Sequence, residues 1–372
     1  MTAAAKSMRQ AAGSLLVVGL SGTELTGLER AWLKLVRPSG IILFRRNIAE
    51  GAQTRALLSE STGYCQHFNL RCVDIEGGTV DRLRDAVAPM PSAQAVAQAA
   101  IQTGKTALMQ RHGELIAREA SAFGFNTTLA PVMDLALPES ASVMGTRAVS
   151  PNPLDVVTYA RNFLAGLAAH GVVGCGKHFP GLGGGTLDSH LETPVITRSW
   201  KDLWHEDLVP YRQLATELPM VMVNHAAYPT TRGGDRPATA SAFWIRTVLQ
   251  KRIGYRGLIF SDDMEMGGIL KAAPMEEAVV LAVRAGMHLM EICHSPELIL
   301  RGYEALISEA ERSAAFRKML LERAAVAAGL RKERFSSPMT RALSAKQLAT
   351  LRDAVLGFAA EVEKSSRIDG QP

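Results

Sequence analysis

The sequence is poor in cysteine and has no long apolar run, and both shortages exclude classes of protein. Its four cysteines, Cys65, Cys72, Cys175 and Cys293, form neither a C-x-x-C pair nor a dense framework. This spacing argues against a zinc cluster and a disulfide scaffold, so we expect reduced thiols. No apolar stretch approaches the roughly 20 residues that cross a bilayer. The N-terminal apolar run is short and leads directly into a helical pattern, which favours a first strand over a cleaved signal. We therefore expect a cytoplasmic location.

The sequence also lacks the charge clusters and short motifs of several ligand-binding classes. Its 41 basic and 36 acidic residues leave a formal charge of +5, but no Lys/Arg block suits nucleic acid. None of the nine histidines falls in an H-E-x-x-H motif, and the phosphate-cradling pattern G-x-x-x-x-G-K-[ST] is absent. We therefore expect no metal or other cofactor, and no nucleic-acid or membrane partner.

What the sequence does contain is a series of eight short apolar runs, each followed by a stretch with helical spacing. The runs begin at Ser14, Gly40, Leu70, Asn126, Gly171, Pro219, Gly257 and Gly286. Because they are continuously apolar, they suit parallel strands buried on both faces. We predict an α/β fold, a single (β/α)₈ TIM barrel over residues 1–335, followed by a C-terminal helical extension and polar tail over 336–372. The alternative, an open doubly wound sheet, lacks its glycine fingerprint after the first strand.

Polar residues follow these runs closely, where barrel enzymes carry their chemistry. Asp74 and Arg82 follow the third run, Arg147 the fourth, Lys177 and His178 end the fifth, Asn224 and His225 the sixth, and Asp262 and Asp263 the seventh. We expect these end-of-strand groups to converge on one pocket. From spacing alone, either Asp262 or Asp263 could be a nucleophile, and both could equally cap the next helix.

The loop after the fifth run, K-H-F-P-G-L-G-G-G-T-L-D-S-H over 177–190, is the most informative segment. Four glycines in five residues permit unusual backbone shapes and predict a loop that opens and closes over a substrate. Asp188 and His190 can form a carboxylate–imidazole pair that gives and takes a proton near neutral pH. For an isolated D-x-H, a plain loop histidine is the alternative.

This loop resembles the K-H-F-P-G-[HY]-G-x₄-D-[ST]-H signature of the β-N-acetylhexosaminidases of glycoside hydrolase family 3. Further matches occur in order along the chain: G-I-I-L-F-R-R-N at 40–47, V-D-I-E-G-G at 73–78, A-P-V-M-D at 130–134, M-G-T-R at 144–147 and G-L-I-F-S-D-D-M-E-M at 257–266. The sequence is identified as a member of this family. It departs from the family pattern at Ile75, Thr79, Leu182 and His288, which bears on the leaving-group side and on loop closure.

The resemblance implies a retaining hydrolase on a (β/α)₈ barrel. It implies that Asp262 is the nucleophile, that His190 is the general acid and base, and that Asp188 is its partner. The positions that correspond to sugar-binding residues of the family are Asp74, Arg82, Arg147, Lys177 and His178. The expected partner is a small carbohydrate, a muropeptide of peptidoglycan recycling, and we expect a monomer.

Two other functions stay open at this point. The same barrel could act as a β-glucosidase, or as a phosphorylase in which phosphate replaces water, because a histidine repels phosphate less than a carboxylate does. A non-catalytic sugar-binding protein is the third hypothesis, which the departures at Leu182, Ile75 and His288 favour and the retained Asp262, Asp188 and His190 oppose.

Overall fold

Eight parallel strands close into a barrel in the structure, a computed structural model that describes residues 3–185 and 193–366. Around the barrel the strands lie in the order β1, β2, β3, β6, β7, β8, β9 and β10, and β10 pairs with β1. Their bounds are β1 Leu16–Gly19, β2 Gly40–Leu43, β3 Leu70–Val73, β6 Thr127–Thr128, β7 Val173–Phe179, β8 Met220–Val223, β9 Leu258–Asp263 and β10 Leu289–Ile292. Each predicted apolar run supplies one of these strands, so the predicted fold is confirmed.

The strands are buried on both faces, as their sequence predicts. Successive residues Ile41, Ile42 and Leu43 of β2 have no exposed surface, although neighbouring side chains point to opposite sides of a strand. One side chain therefore packs inside the barrel and the next against the helices around it. This burial holds the carboxyl ends of the strands in fixed positions at one rim.

A short hairpin, which the sequence analysis did not predict, follows β3. Its strands are β4, Ile75–Gly77, and β5, Val80–Asp81, and they pair in antiparallel fashion. Gly77, the last residue of β4, and Gly78, the first residue of the turn, have φ angles of 87° and 62°, a conformation that favours glycine. The hairpin folds the chain back over the barrel rim and carries Glu76 on its first strand.

The helices surround the barrel. They are α1 Ala3–Gly13, α2 Gly27–Val36, α3 Gly51–Thr62, α4 Ala93–Thr103, α5 Ala107–Ala122, α6 Ala141–Met144, α7 Pro153–Ala169, α8 Trp200–Asp202, α9 Val209–Gln213, α10 Gly267–Leu270, α11 Met275–Ala285, α12 Pro296–Arg312, α13 Ala314–Arg334 and α14 Ala345–Ser366. Two π-helical segments, Leu203–Asp207 and Phe243–Arg252, complete the helical layer. Among the residues that the structure describes, none of the helices combines the length and the hydropathy of a membrane span.

The last helix packs against the pair α4 and α5. The Phe358 ring of α14 stacks on His112 of α5 with centroids 6.0 Å apart, and Arg111 pairs with Glu361 at 2.6 Å. Phe358 itself has no exposed surface. The C-terminal helix therefore covers the side of the barrel, and the domain boundary at residue 335 stays a prediction.

Candidate active site

A cavity of about 460 Å³ opens at the carboxyl ends of the barrel strands, a size typical of small-molecule sites. Six of the eight predicted site residues line it: Asp74, Arg82, Arg147, Lys177, His178 and Asp262. They come from four separate places along the chain, and the barrel brings them together. The other two, Asp188 and His190, lie outside the described residues.

Asp262 lies at the end of β9 and faces the cavity. Burial alone would raise the pKa of its carboxyl, but His178, His225 and Lys177 outweigh that effect and lower it. One carboxylate oxygen also accepts a hydrogen bond of 3.0 Å from the Asp263 backbone N–H. Asp262 is therefore an ionised group on a rigid strand, a state that suits a nucleophile.

His225, which follows the neighbouring strand β8, supports this strand end. Its Nε2 lies 3.0 Å from the carbonyl oxygen of Asp263 and must donate, since a carbonyl only accepts. Its Nδ1 lies 2.9 Å from the Thr239 hydroxyl. Burial lowers the pKa of His225, while the nearby carboxylate of Asp262 opposes part of that effect.

Lys177 ties two acidic residues together beneath the cavity. Its Nζ lies 2.6 Å from Glu76 and 3.1 Å from Asp74, and its side chain is 4% exposed. Burial by itself would lower the pKa of Lys177, but Glu76 and Asp74 raise it. The ammonium stays charged, and it holds Asp74 in position for a ligand.

Arg147 completes this ion-pair network from the loop after β6. Its Nε and one terminal nitrogen donate to the two oxygens of Glu76 at 2.7 and 2.8 Å, a bidentate pair. The same nitrogen lies 3.5 Å from Nε2 of His178. Glu76 thus fixes two cations at once, and both present remaining hydrogens to the cavity.

Arg82 has spare hydrogen-bonding capacity. A terminal nitrogen lies 3.5 Å from Asp74, and the guanidinium lies 5.7 Å from the centre of the Phe44 ring. Its buried Nε has no hydrogen-bond partner within the described ranges. Such a donor suits a ligand oxygen.

Asp134 orients both His178 and the start of the glycine-rich loop. One oxygen lies 2.6 Å from Nδ1 of His178 and also accepts the backbone N–H of His178 at 3.1 Å. The other oxygen accepts from the Leu182 N–H at 2.7 Å. A carboxylate at Nδ1 leaves Nε2 of His178 to face Arg147 and the cavity.

The described start of the glycine-rich loop is packed closely against the barrel rim. Gly181 has a φ of 136°, and a Cβ there would lie 2.9 Å from the Asp207 side chain. A Cβ at Gly183 would lie 2.8 Å from the Leu135 carbonyl oxygen. These two glycines are therefore required for close packing, whereas the predicted opening and closing of the loop stays a prediction.

Asp263, the neighbour of Asp262, has a different environment. Burial, together with the charges of Glu265 and Asp262, raises the pKa of Asp263 to about 7. One of its oxygens accepts from the Glu265 N–H at 3.0 Å, as a turn-capping residue does. Of the two adjacent acids, Asp262 is the more strongly ionised at neutral pH.

Comparison with known proteins identifies the family to which this site belongs. The profile described as the glycosyl hydrolase family 3 N terminal domain matches residues 8–323. The chain belongs to glycosyl hydrolase family 3.

Several members of family 3 are similar to it along most of their length. The Beta-hexosaminidase of Alkalilimnicola ehrlichii is 38% identical over 287 residues, which cover 76% of this chain and 82% of that protein. The Beta-hexosaminidase of Stenotrophomonas maltophilia (strain R551-3) is 33% identical over 309 residues, with 82% and 91% covered. The predictions of a family 3 β-N-acetylhexosaminidase and of a glycoside hydrolase enzyme are therefore confirmed.

Solved structures of family 3 agree with this family assignment. The β-N-acetylglucosaminidase of Paenibacillus sp. str. FPU-7 superposes with a TM-score of 0.83 at 27% identity, over 94% of this chain and 68% of that one. NagZ from Neisseria gonorrhoeae, in complex with N-trifluoroacetyl-D-glucosamine, gives 0.71 at 29% identity, over 84% and 98%.

The structure of this family 3 hydrolase also places residues in the cavity wall, or directly behind it, to which the sequence analysis assigned no role. They are Phe44, Arg46, Glu76, Asp134, Glu291 and His294. Glu76 and Asp134 lie inside the motifs at 73–78 and 130–134, so their motif position was a usable signal. Glu291 and His294 lie at the end of the eighth run, and the end-of-strand rule could have found both.

Within residues 3–185 and 193–366 of the hydrolase, no group of three or more His, Cys, Asp or Glu side chains is arranged to hold a metal ion. The acidic groups of the cavity are instead engaged by Lys177 and Arg147. The expected absence of a cofactor stays a prediction.

Proposed function

We propose that this enzyme removes a terminal β-linked N-acetylglucosamine from small glycosides, with retention of configuration, through a covalent glycosyl-aspartate at Asp262. The observation that carries the proposal is the carboxylate of Asp262, held at the strand end in the cavity and kept ionised by His178, His225 and Lys177. In a double displacement, that carboxylate attacks the anomeric carbon while an acid protonates the departing oxygen. Water then releases the sugar.

The proton donor in this scheme is His190, with Asp188 as its partner. Both roles come from the family resemblance, and both residues lie outside the described part of the chain. Leu182, in the same loop, lines the cavity, so the loop leaves the barrel beside the substrate site. The start of the loop beside the cavity supports a position of His190 next to the leaving-group oxygen.

The remaining cavity wall suits a sugar with several hydroxyl groups. Asp74 can accept from hydroxyls, while Lys177, Arg147 and Arg82 can donate to hydroxyl or acetamido oxygens. The ion pairs among them fix their positions before a ligand arrives, which lowers the entropic cost of binding. N-trifluoroacetyl-D-glucosamine bound to NagZ supports an N-acylated glucosamine as the sugar here.

We further propose that the natural substrate is a muropeptide, whose leaving group carries carboxylates. Arg45, Arg46 and His294 line the outer part of the same cavity. Arg45 is half exposed, and its pairing with the exposed Asp85 at 3.2 Å is a weak one that an anionic ligand could replace. Cytoplasmic location and a monomeric state stay predictions.

The test of the nucleophile uses aryl β-N-acetylglucosaminide. We expect cleavage with retention, seen as initial release of the β-anomer by NMR, and we expect Asp262→Asn to lower kcat/KM by several orders of magnitude. Adding azide to Asp262→Gly should produce the α-glycosyl azide, because azide then attacks in place of the missing carboxylate. Asp85→Asn, at the rim, is the matched control and should retain turnover of the neutral aryl substrate.

Three outcomes would overturn the proposal. Near wild-type turnover by Asp262→Asn would remove the role of Asp262. Preference for the aryl glucoside would reject the acetamido sugar, and a product formed only with inorganic phosphate would replace hydrolysis by phosphorolysis. Equal kcat/KM for N-acetylglucosaminyl-1,6-anhydromuramyl peptide and for neutral N,N′-diacetylchitobiose would reject the anionic leaving group alone.

A further inference from the structure

Glu291 is a cavity residue that the proposed mechanism does not use. It lies on β10, in register with Asp263 of β9, and its side chain is almost fully buried while lining the cavity. One oxygen, Oε1, accepts a hydrogen bond from the Cys293 thiol at 3.1 Å. The other, Oε2, has no hydrogen-bond partner among the residues that the structure describes.

The surroundings of Glu291 disfavour a negative charge. Burial raises its pKa well above the usual value, and the carboxylates of Asp263, Asp74 and Asp262 raise it further. The neighbouring thiols of Cys72, Cys175 and Cys293 carry no positive charge in either protonation state, and burial raises the pKa of each. The Lys177 ammonium is engaged by Asp74 and Glu76. These surroundings therefore favour the protonated, uncharged form of the Glu291 carboxyl group.

The position of its proton follows from the hydrogen bonds. Cys293 already engages Oε1, which leaves Oε2, without a partner among the described residues, as the open position for the acid proton. A buried O–H without an acceptor is costly unless a ligand supplies one. The cavity that Glu291 lines is where such a ligand binds.

We propose that Glu291 is a specificity residue of the sugar site, whose Oε2–H donates a hydrogen bond to one oxygen of the bound N-acetylglucosamine. The inference rests on the proposed function and adds a contact to it. Asp74 only accepts when ionised, whereas a protonated acid donates. Glu291 therefore selects a sugar that presents an acceptor oxygen over the β10 side of the cavity.

Burial without a partner is not by itself evidence of such a role, as Glu119 shows. Glu119, on α5, is fully buried, and neither of its oxygens has a hydrogen-bond partner within the described ranges. It does not line the cavity. It is therefore the matched control, a buried acid of the same type without access to the ligand.

The experiment measures the Kd of N-acetylglucosamine by calorimetry for the wild type, Glu291→Gln, Glu291→Met and Glu119→Met. Glutamine keeps both a donor and an acceptor, so Glu291→Gln should bind within about twofold of the wild type. Methionine keeps the volume and removes the donor, so Glu291→Met should bind about three- to tenfold more weakly. Glu119→Met should bind as the wild type does.

Analogues that each lack one hydroxyl or the acetamido group identify the contacted oxygen. The analogue without that oxygen should lose affinity for the wild type and for Glu291→Gln but not for Glu291→Met, since the contact is already gone there. Thermal midpoints distinguish loss of this hydrogen bond from damage to the fold. Glu291→Met should melt at or above the wild-type midpoint, because it replaces a buried unpaired acid with an apolar side chain.

Two results would overturn the role of Glu291 alone. The first is wild-type affinity for N-acetylglucosamine in Glu291→Met. The second is that Glu291→Met binds every analogue more weakly than the wild type does by the same factor. A wild-type protein that binds no N-acetylglucosamine would reject the proposed function, and the role of Glu291 with it. The wild-type titration therefore distinguishes the two failures.

Discussion

Replacing Glu76 by glutamine removes the only carboxylate that contacts both Arg147 and Lys177 among the described residues. Glu76 is 2% exposed and lies 2.6 to 2.8 Å from the nitrogens of these two cations. Removing one partner of a buried ion pair costs about 3–5 kcal/mol, because the remaining charge stays buried. At an unfolding entropy of roughly 2.1 cal/mol/K per residue over 372 residues, this lowers Tm by about 4–6 °C.

The matched control is Glu60→Gln. Glu60 pairs with Arg30 at 2.6 Å, but both side chains are more than 40% exposed, so its loss costs less than about 1 kcal/mol. Differential scanning calorimetry at neutral pH measures both variants. A Tm for Glu76→Gln within about 1 °C of the wild type, or an equal drop for Glu60→Gln, would refute the reasoning.

The pH dependence of this difference has a defined sign. Burial would raise the pKa of Glu76, but Arg147 and Lys177 lower it well below its usual 4.5. A depressed pKa stabilises the fold above the unfolded value and loses that contribution as pH falls towards the folded value. The gap in Tm between the wild type and Glu76→Gln should therefore narrow below about pH 4.5.

Asp263→Asn should raise Tm more at about pH 8 than at about pH 4. The pKa of Asp263 is raised from 3.8 to about 7 by folding, so the ionised carboxylate destabilises the folded chain at pH 8, and asparagine removes that cost. Equal changes at both pH values in a thermal melt would contradict the raised pKa. Gly181→Ala should lower the free energy of unfolding by about 1–3 kcal/mol and reduce kcat/KM, since its φ of 136° and the contact with Asp207 both oppose a Cβ. Gly104→Ala, at a positive φ with nothing within 4 Å, is the control, and activity loss of the same size there would show that the Asp207 contact is irrelevant.

The barrel could be predicted because its signal is local. Each buried strand is a short apolar run, and the polar residue after it lies at the rim, so Asp74, Lys177 and Asp262 were placed without tertiary information. The hairpin Ile75–Gly77 and Val80–Asp81 was missed because its strands have three and two residues. So short a pattern cannot be distinguished from a loop by periodicity.

The roles within the site could be predicted only in part, because they depend on pairings between distant segments. The motif at 73–78 contains both Asp74 and Glu76, but nothing local shows that Glu76 binds Arg147, 71 residues later. The support of His178 by Asp134 spans 44 residues in the same way. Glu291 is harder still, since its raised pKa follows from burial and from three carboxylates that come from other segments of the chain.

The positions of the cations divide the acids of this cavity into two groups. Lys177 and Arg147 lie on the β3 to β7 side, and there Glu76 is ionised and fixed by ion pairs. On the β9 and β10 side, Asp263 and Glu291 have raised pKa values and hold protons more readily.

Asp262 lies between these groups, close enough to Lys177 and to the rings of His178 and His225 that its pKa is lowered. Among the described residues, the field across the barrel mouth therefore favours the ionised form of Asp262 and the protonated forms of Asp263 and Glu291. A nucleophile needs that charge, while hydrogen-bond donors on the same wall need their protons. One rigid set of cations can meet both needs, because the barrel holds Asp262 near these cations and holds Asp263 and Glu291 farther from them.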